Sequence, residues 1–458
     1  MTYAHTYSGT RTREPSPREL EHGRLARRAA AGGIVLLKNT GTLPLDLSAP
    51  VALFGSGASR TVKGGIGSGD VNNRANVSIC QGLKDAGLRL TSENWLEDYE
   101  ARYHAARAAW KQKVLEAAHW VENPFDAYAA NPFVLPQGRP IVPQDVQGAA
   151  AAIYVLSRIA GEGKDRRLEK GDYYLSDGEW NDLRTLDRLG LPIVLLINAG
   201  GPVELTDLLD GAVHIEAVLQ LSQLGQEGGH AVADVLLGKA TPEGKLTATW
   251  ARRYTDYPCA ESFSYLDGDL EKAVYREGIY VGYRYFDSFG VQPLFPFGYG
   301  LSYTDFSLRF AGLRVGADAI EVDVEVENAG ICFSGREVAQ VYISCPQNGG
   351  AKELRRLAGF AKTRLLAPEQ RQTLTICIPQ KQLATFAAQK QGWVVEQGLY
   401  GVWVGNSSAA VTLCAQIRVD ADTVIEQTHP ICPLHQPLDE LGAADAAQKE
   451  AAHPAGLP

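Results

Sequence analysis

The chain has no apolar run approaching the ~20 residues that a membrane-spanning helix needs, and its first twenty residues, MTYAHTYSGTRTREPSPREL, lack the apolar core of a secretory leader. Cysteine is scarce and scattered, at positions 80, 259, 332, 345, 377, 414 and 432. An odd count without regular spacing excludes a disulfide framework and fits a reducing compartment, so the expectation is a cytoplasmic protein with no membrane partner. Basic charge is in deficit, 44 Lys and Arg against 53 Asp and Glu, for a net charge of −9. That balance argues against nucleic acid or an anionic membrane as a general partner. Nucleotide fingerprints are missing too. After Gly55 and Gly57 the third glycine position is Arg60, and no G-K-[ST] phosphate loop occurs. GIGSGD looks like a serine-nucleophile elbow but lacks the strand-to-elbow spacing. No internal repeat is visible.

What remains is the composition of a globular protein, 458 residues with 45% hydrophobic and 21% charged, enough for two or three domains. From about residue 20 to 260, short continuous apolar runs alternate with helical segments. GIVLLKN (33–39), VALFG (51–55), AAIYVLS (151–157), LPIVLLIN (191–198) and IEAVLQL (215–221) read as strands buried on both faces. The 96–121 segment reads as a helix stopped by Asn123-Pro124, and Ser176-Asp-Gly-Glu179 as the capping box of another. This half is expected to be a three-layer α/β sandwich, residues 1–265. From 304 the pattern changes: AIEVDVEV (319–326) alternates strictly, and short strands recur at 337–344, 372–378 and 399–405. Residues 304–420 therefore read as an all-β fibronectin type III-like or immunoglobulin-like sandwich. An aromatic connector, 266–303, joins the halves, and 421–458 reads as linker or disordered tail.

Three glutamates stand beside glycines: Glu162 in AGEGKD, Glu227 in GQEGGH and Glu277 in YREGIY. A helix dipole accounts for Glu227 at a helix start, and Glu277 is expected to pair with Arg276 or Arg284. Glu162 follows the C-terminal end of the strand 151–157, the edge where open α/β sheets place ligands. Taken on spacing alone, it reads as a solvated loop residue, with a working acid as the alternative. The loop GGIGSGDVNNR (64–74) reads as a sharp turn, or as a sugar- or nucleotide-lining loop with Asp70, Asn72, Asn73 and Arg74 as donors and acceptors. His429, Cys432 and His435 have metal-compatible spacing but form a thin case between two prolines, so no metal is expected.

Together these stretches resemble the family 3 glycoside hydrolases, the β-glucosidase and β-xylosidase group. The resemblance rests on GIVLLKNTGTLPL, GGIGSGDVNNR, SRIAGEGKDR (157–166), INAGGPVEL (197–205), GQEGGHAVADVLLGKATPEGKL (225–246), YREGIYVGYRYFD, FPFGYGLSYT and EVENAGICFSGREVAQVYIS, covering about residues 20–420. It implies that Glu162 is the general acid/base. Arg158, Asp165, Arg166, Gly67, Ser68 and Asp70 are then substrate-binding or loop-supporting. It also implies a β-glucoside or oligosaccharide as substrate, a retaining mechanism and no cofactor.

The chain departs from the family pattern in one respect. It has no Ser-Asp-Trp nucleophile motif and no Lys-His dipeptide, and SDGEW (176–180) falls in the wrong domain. The domain order resembles permuted members in which the (β/α)-barrel comes last. The implied partner is thus a barrel domain or second chain bearing the aspartate nucleophile, and homo-oligomerisation is compatible with this reading. The competing function is a non-catalytic carbohydrate-binding or interaction protein derived from the same family.

Overall fold

The structure, a computed structural model, describes residues 12–162, 165–263, 266, 268–269, 271–272, 274–348, 352–432, 435, 438–442 and 445. Gly163 and Lys164 of the Glu162 loop, and most of the chain beyond 442, lie outside the described residues. The first domain runs α1 (Pro17–Gly33), β1 (Val35–Asn39), β2 (Val51–Phe54), α2 (Ile79–Asp85), α3 (Glu93–Ala118), α4 (Pro124–Ala130), β3 (Ala151–Ser157), α5 (Asp177–Arg188), β4 (Ile193–Asn198), β5 (Ile215–Gln220) and α6 (Gly228–Leu236). Its sheet has the order β1-β5-β4-β3-β2, parallel from β2 to β5, with β1 antiparallel at the edge. All seven residues of β3 and all six of β4 are buried. Successive side chains point to opposite faces, so both faces are covered, as the unbroken apolar runs predict.

Helix starts follow local chemistry. Ser16 and Ser176 each form a capping box, with Glu19 and Glu179 respectively. The second box places Glu179 at the start of α5, beneath the end of β3.

The aromatic connector contains α7 (Tyr283–Ser288) and β7 (Pro293–Phe295), and β7 pairs with β6 (Trp250–Ala251) of the first domain. It holds the two domains together. Tyr303 donates to the Val235 carbonyl (2.9 Å) and Leu301 N to that of Leu36 (2.8 Å) on the α/β side. Toward the second domain, Tyr283 accepts from Leu357 N (2.7 Å), and Asp287 pairs with Arg355 (3.0 Å). Arg276 pairs with Asp439, so the pairing expected for Glu277 with that arginine is corrected.

The second domain is a β-sandwich. One sheet orders β11 (Arg356–Lys362), β10 (Val338–Ser344), β15 (Gly398–Gly405) and β16 (Val411–Val419). The other orders β12 (Arg371–Pro379), β9 (Ala319–Asn328) and β8 (Phe306–Val315). Ile320, Val322, Val324 and Val326 of β9 point into the core, as their alternation requires. A small third sheet orders β13 (Thr385–Ala387), β14 (Gly392–Val395) and β17 (Thr423–Gln427). The expected tail from 421 is corrected at its start, because β17 pairs with β14 through Trp393 and Glu426.

A buried ion pair links the domains: Lys245 Nζ lies 2.7 Å from Glu337 Oε1, both side chains being largely enclosed. Glu337 also accepts from Asn406 Nδ2 at 3.2 Å. Removing the lysine leaves a buried carboxylate short of its cation. Lys245→Met is expected to cost about 3–5 kcal/mol in chemical denaturation. Adding Glu337→Gln should recover most of that loss, and an unchanged midpoint in the single variant would count against the pair.

Candidate active site

β3 ends at Ser157, and the chain turns at once into Arg158, whose side chain is 5% exposed. A guanidinium buried there needs every N–H satisfied, and all five are. Nε donates to the Asp172 carbonyl (2.6 Å), and Nη1 to the Ser157 carbonyl (2.9 Å) and Glu179 Oε1 (2.7 Å). Nη2 reaches the Tyr174 carbonyl (3.4 Å) and Glu179 Oε2 (2.8 Å). Both ends of the loop following β3 are thereby tied to the first turn of α5. Arg166 braces the same loop through the Asp172 carboxylate, the Asp172 carbonyl (3.0 Å) and the Pro202 carbonyl (3.2 Å). Arg158 and Arg166 thus tie the loop to its neighbours, the first turn of α5 and the Pro202 backbone.

Glu162 projects from this braced loop and is exposed. Its Oε2 accepts from Ser68 N (2.9 Å) and Ser68 Oγ (2.7 Å). The loop backbones also meet directly, Ile66 N donating to the Ala160 carbonyl at 3.2 Å. Two glycines permit that approach. A Cβ on Gly161 would stand 2.4 Å from Ile66 N, and one on Gly67 (φ +74°) would stand 2.7 Å from Glu162 Cβ. The structure therefore brings Glu162, Gly67 and Ser68 together. Asp70 instead pairs with Lys63 (3.3 Å), Arg74 turns to Glu19 (2.8 Å), and Asp165 is exposed on the rim of a neighbouring cavity. Glu227 stands at the N-cap position of α6, but its side chain makes no capping bond there and instead meets His230 Nδ1 at 2.8 Å.

The two hydrogen bonds from Ser68 favour the charged form of Glu162 and hold its carboxyl below the usual range. The contact is present above the ordinary glutamate pKa and is lost as the pH falls through the depressed value. Ser68→Ala removes the hydroxyl donor, so the Glu162 pKa is expected to rise toward its ordinary value. Carboxyl NMR titration of the two proteins would read this directly; identical curves would refute the contact.

Sequence reasoning missed a second feature of the same sheet edge. A cavity of about 780 Å³ lies between the ends of β2 and β3, the loop after β3, the start of α5 and the 129–138 segment. Near its floor Tyr154 Oη donates to Asp182 Oδ2 at 2.9 Å. Asp182 is 6% exposed. Burial, with Glu179 nearby adding to it, pushes its carboxyl up to about 7 against the pull of Tyr154. The available signal was a tyrosine inside the apolar run AAIYVLS and an aspartate beside Leu183 on the buried face of α5. Among the described residues, no three His, Cys, Asp or Glu side chains assemble as metal ligands, and no helix is long and apolar enough to cross a membrane.

A mostly parallel α/β sheet that presents a glycine-flanked carboxylate at its C-terminal edge is thus joined to a β-sandwich. Comparison with known families says which class this pairing belongs to. The glycosyl hydrolase family 3 C-terminal domain matches residues 34–283, and the fibronectin type III-like domain matches 337–408. The chain belongs to glycosyl hydrolase family 3. It is 35% identical over 410 residues to a β-glucosidase of Ruminococcus albus, covering 87% of this chain and 40% of that one. With β-glucosidase A of Butyrivibrio fibrisolvens it shares 34% identity over 437 residues, covering 84% and 50%. The solved structure of β-glucosidase 3B from Thermotoga neapolitana aligns with TM-score 0.77 and 36% identity over 90% of this chain and 56% of that one. The chain thus spans about half the length of these relatives.

Proposed function

We propose that this chain is the acid/base half of a retaining β-glucosidase, with Glu162 as general acid/base and the nucleophile on a (β/α)-barrel, fused or supplied by another chain. The observation that carries the reading is the placement of Glu162. Its carboxylate stands exposed at the sheet edge, on a loop fixed by Arg158 and Arg166 and positioned by Ser68. An acid meant to reach a sugar bound by another domain has to be accessible and held on a rigid base.

The chemistry would be a double displacement. An aspartate of the barrel attacks the anomeric carbon while Glu162 protonates the departing oxygen. In the second step Glu162 takes a proton from a water whose oxygen attacks the anomeric carbon and displaces the aspartate carboxylate, which releases the sugar with retained configuration. The two carboxyl groups must stand ~5–5.5 Å apart. As it stands Glu162 is held charged, the wrong form for the first step. Closing a barrel over it would desolvate the carboxylate and bring a second carboxylate close, and both effects raise the pKa.

That charged state is also the observation favouring a second reading, a carbohydrate-binding protein in which the carboxylate accepts sugar hydroxyls and no proton moves. Hydrolysis of an aryl β-glucoside separates the two. The chain by itself is expected to give no turnover, and mixing it with a family 3 barrel half is expected to create turnover that requires Glu162. Turnover by the chain alone that vanishes in Glu162→Gln would place a nucleophile within these residues and overturn the half-enzyme reading. Sugar binding without turnover in the mixture would favour the binding reading.

A further inference from the structure

We propose that the cavity beneath the 129–138 segment is a second binding pocket, separate from the Glu162 carboxylate, for a small uncharged polyol of monosaccharide size. The proposal stands independently of the hydrolase reading, because it uses none of the contacts of Glu162.

At about 780 Å³ the cavity falls in the range of ordinary small-molecule sites and exceeds what packing defects leave. It sits at the C-terminal end of β2 and β3, where Gly55, Ser56, Ser157 and Arg158 line it. Parallel sheets collect ligands at that edge.

The charge of the ligand follows from how the lining groups are already used. Arg158 and Glu179 neutralise each other in a two-pronged pair at 2.7 and 2.8 Å. Arg158 has no N–H left over for an anion. Lys170, at the rim, is paired with Asp177 at 2.6 Å. Asp182 is a buried acid of the lining, and burial pushes its carboxyl up to about 7, so that about half of it is uncharged at neutral pH. Asp172 is likewise tied to Arg166, and the exposed Asp165, Arg167, Glu169 and Lys170 carry both signs, so the enclosed part of the lining holds no unopposed full charge for an ionic ligand. Hydroxyl groups fit that restriction.

Hydrogen-bonding capacity is nevertheless present. Among the described residues Asp182 has one hydrogen-bond partner, Tyr154 on Oδ2, which leaves Oδ1 unused in a group that lines the cavity. Gln137 and Ser157 also line it. Trp95 and Phe133 supply aromatic surface on the same walls, against which the C–H face of a polyol can lie. A perturbed buried acid inside a cleft of this size is a common mark of a binding site. A purely structural Tyr–Asp contact between α5 and β3 would need no cavity above it.

The test is calorimetric or NMR titration of the full chain with glucose, xylose and glycerol as probes. At least one probe is expected to bind to wild type and to Glu162→Gln with equal affinity. Binding should weaken at least tenfold in the doubly substituted Tyr154→Phe/Asp182→Leu chain, which keeps the packing volume and loses the polar floor. Should that double variant fail to fold, Phe133→Ala elsewhere in the lining is expected to weaken binding in a chain whose buried core is untouched. The proposal is overturned if none of the three probes binds wild type. It is equally overturned if binding is lost in Glu162→Gln and retained in the cavity variants, which would assign the sugar to the acid/base loop.

Discussion

Glu162→Gln, mixed with a barrel half, is expected to hydrolyse an unactivated β-glucoside ~10²–10⁴-fold more slowly than the wild-type mixture, the usual contribution of a positioned proton donor. Glutamine preserves the size of the side chain and can still accept from Ser68, so the loop should keep its shape. Only the transferable proton is lost. Two further signatures distinguish this from a positioning defect. Substrates with strongly acidic leaving groups need little protonation and should lose less rate in the first step. The alkaline limb of the pH profile, which reports the need for a protonated acid, should flatten in the variant. A uniform loss across leaving groups with an unchanged pH profile would sink the acid/base assignment.

Asp182→Asn is the second large effect. The native carboxyl rises from 3.8 to about 7 on folding, with burial the first cause. Between those values the folded state holds a proton that the unfolded state has released, so stability falls as pH rises through this window and levels off above it. At about 1.36 kcal/mol per unit, the full shift amounts to ~4 kcal/mol. Asparagine offers Tyr154 the same acceptor without an ionisable group. The variant should match wild type near pH 4 and exceed it by up to ~4 kcal/mol at pH 8, read as urea midpoints across the range. Parallel stability curves for the two proteins would show that Asp182 is not held protonated by the fold.

The same two residues show the limits of reading this protein from its sequence. Continuous apolar runs at 33–39, 51–55, 151–157, 191–198 and 215–221 identify five strands to within two residues, because a doubly covered strand has no polar face to blur. Strict alternation marks β9 for the complementary reason. By contrast β11 carries Gly359, whose missing side chain lowers strand propensity. The reason for that glycine lies in the opposite sheet, where a Cβ would stand 2.7 Å from Ile376 Cγ2. β8 and β16 were also missed, being edge strands with half-exposed patterns. β17 hides within a polar tail and exists through its pairing with β14.

By itself, then, the sequence determined the class of each domain and the places of the main strands along the chain, and it singled out Glu162 as a candidate. These depend on local periodicity and on motifs continuous in the chain. Only the tertiary structure decided what surrounds that carboxylate. Ser68 reaches Glu162 from 94 residues away, Arg158 is consumed by Glu179, and Tyr154 meets Asp182 under a cavity that no single stretch encloses. Such contacts join segments distant in the chain, and their electrostatics depend on burial, which a linear pattern does not contain.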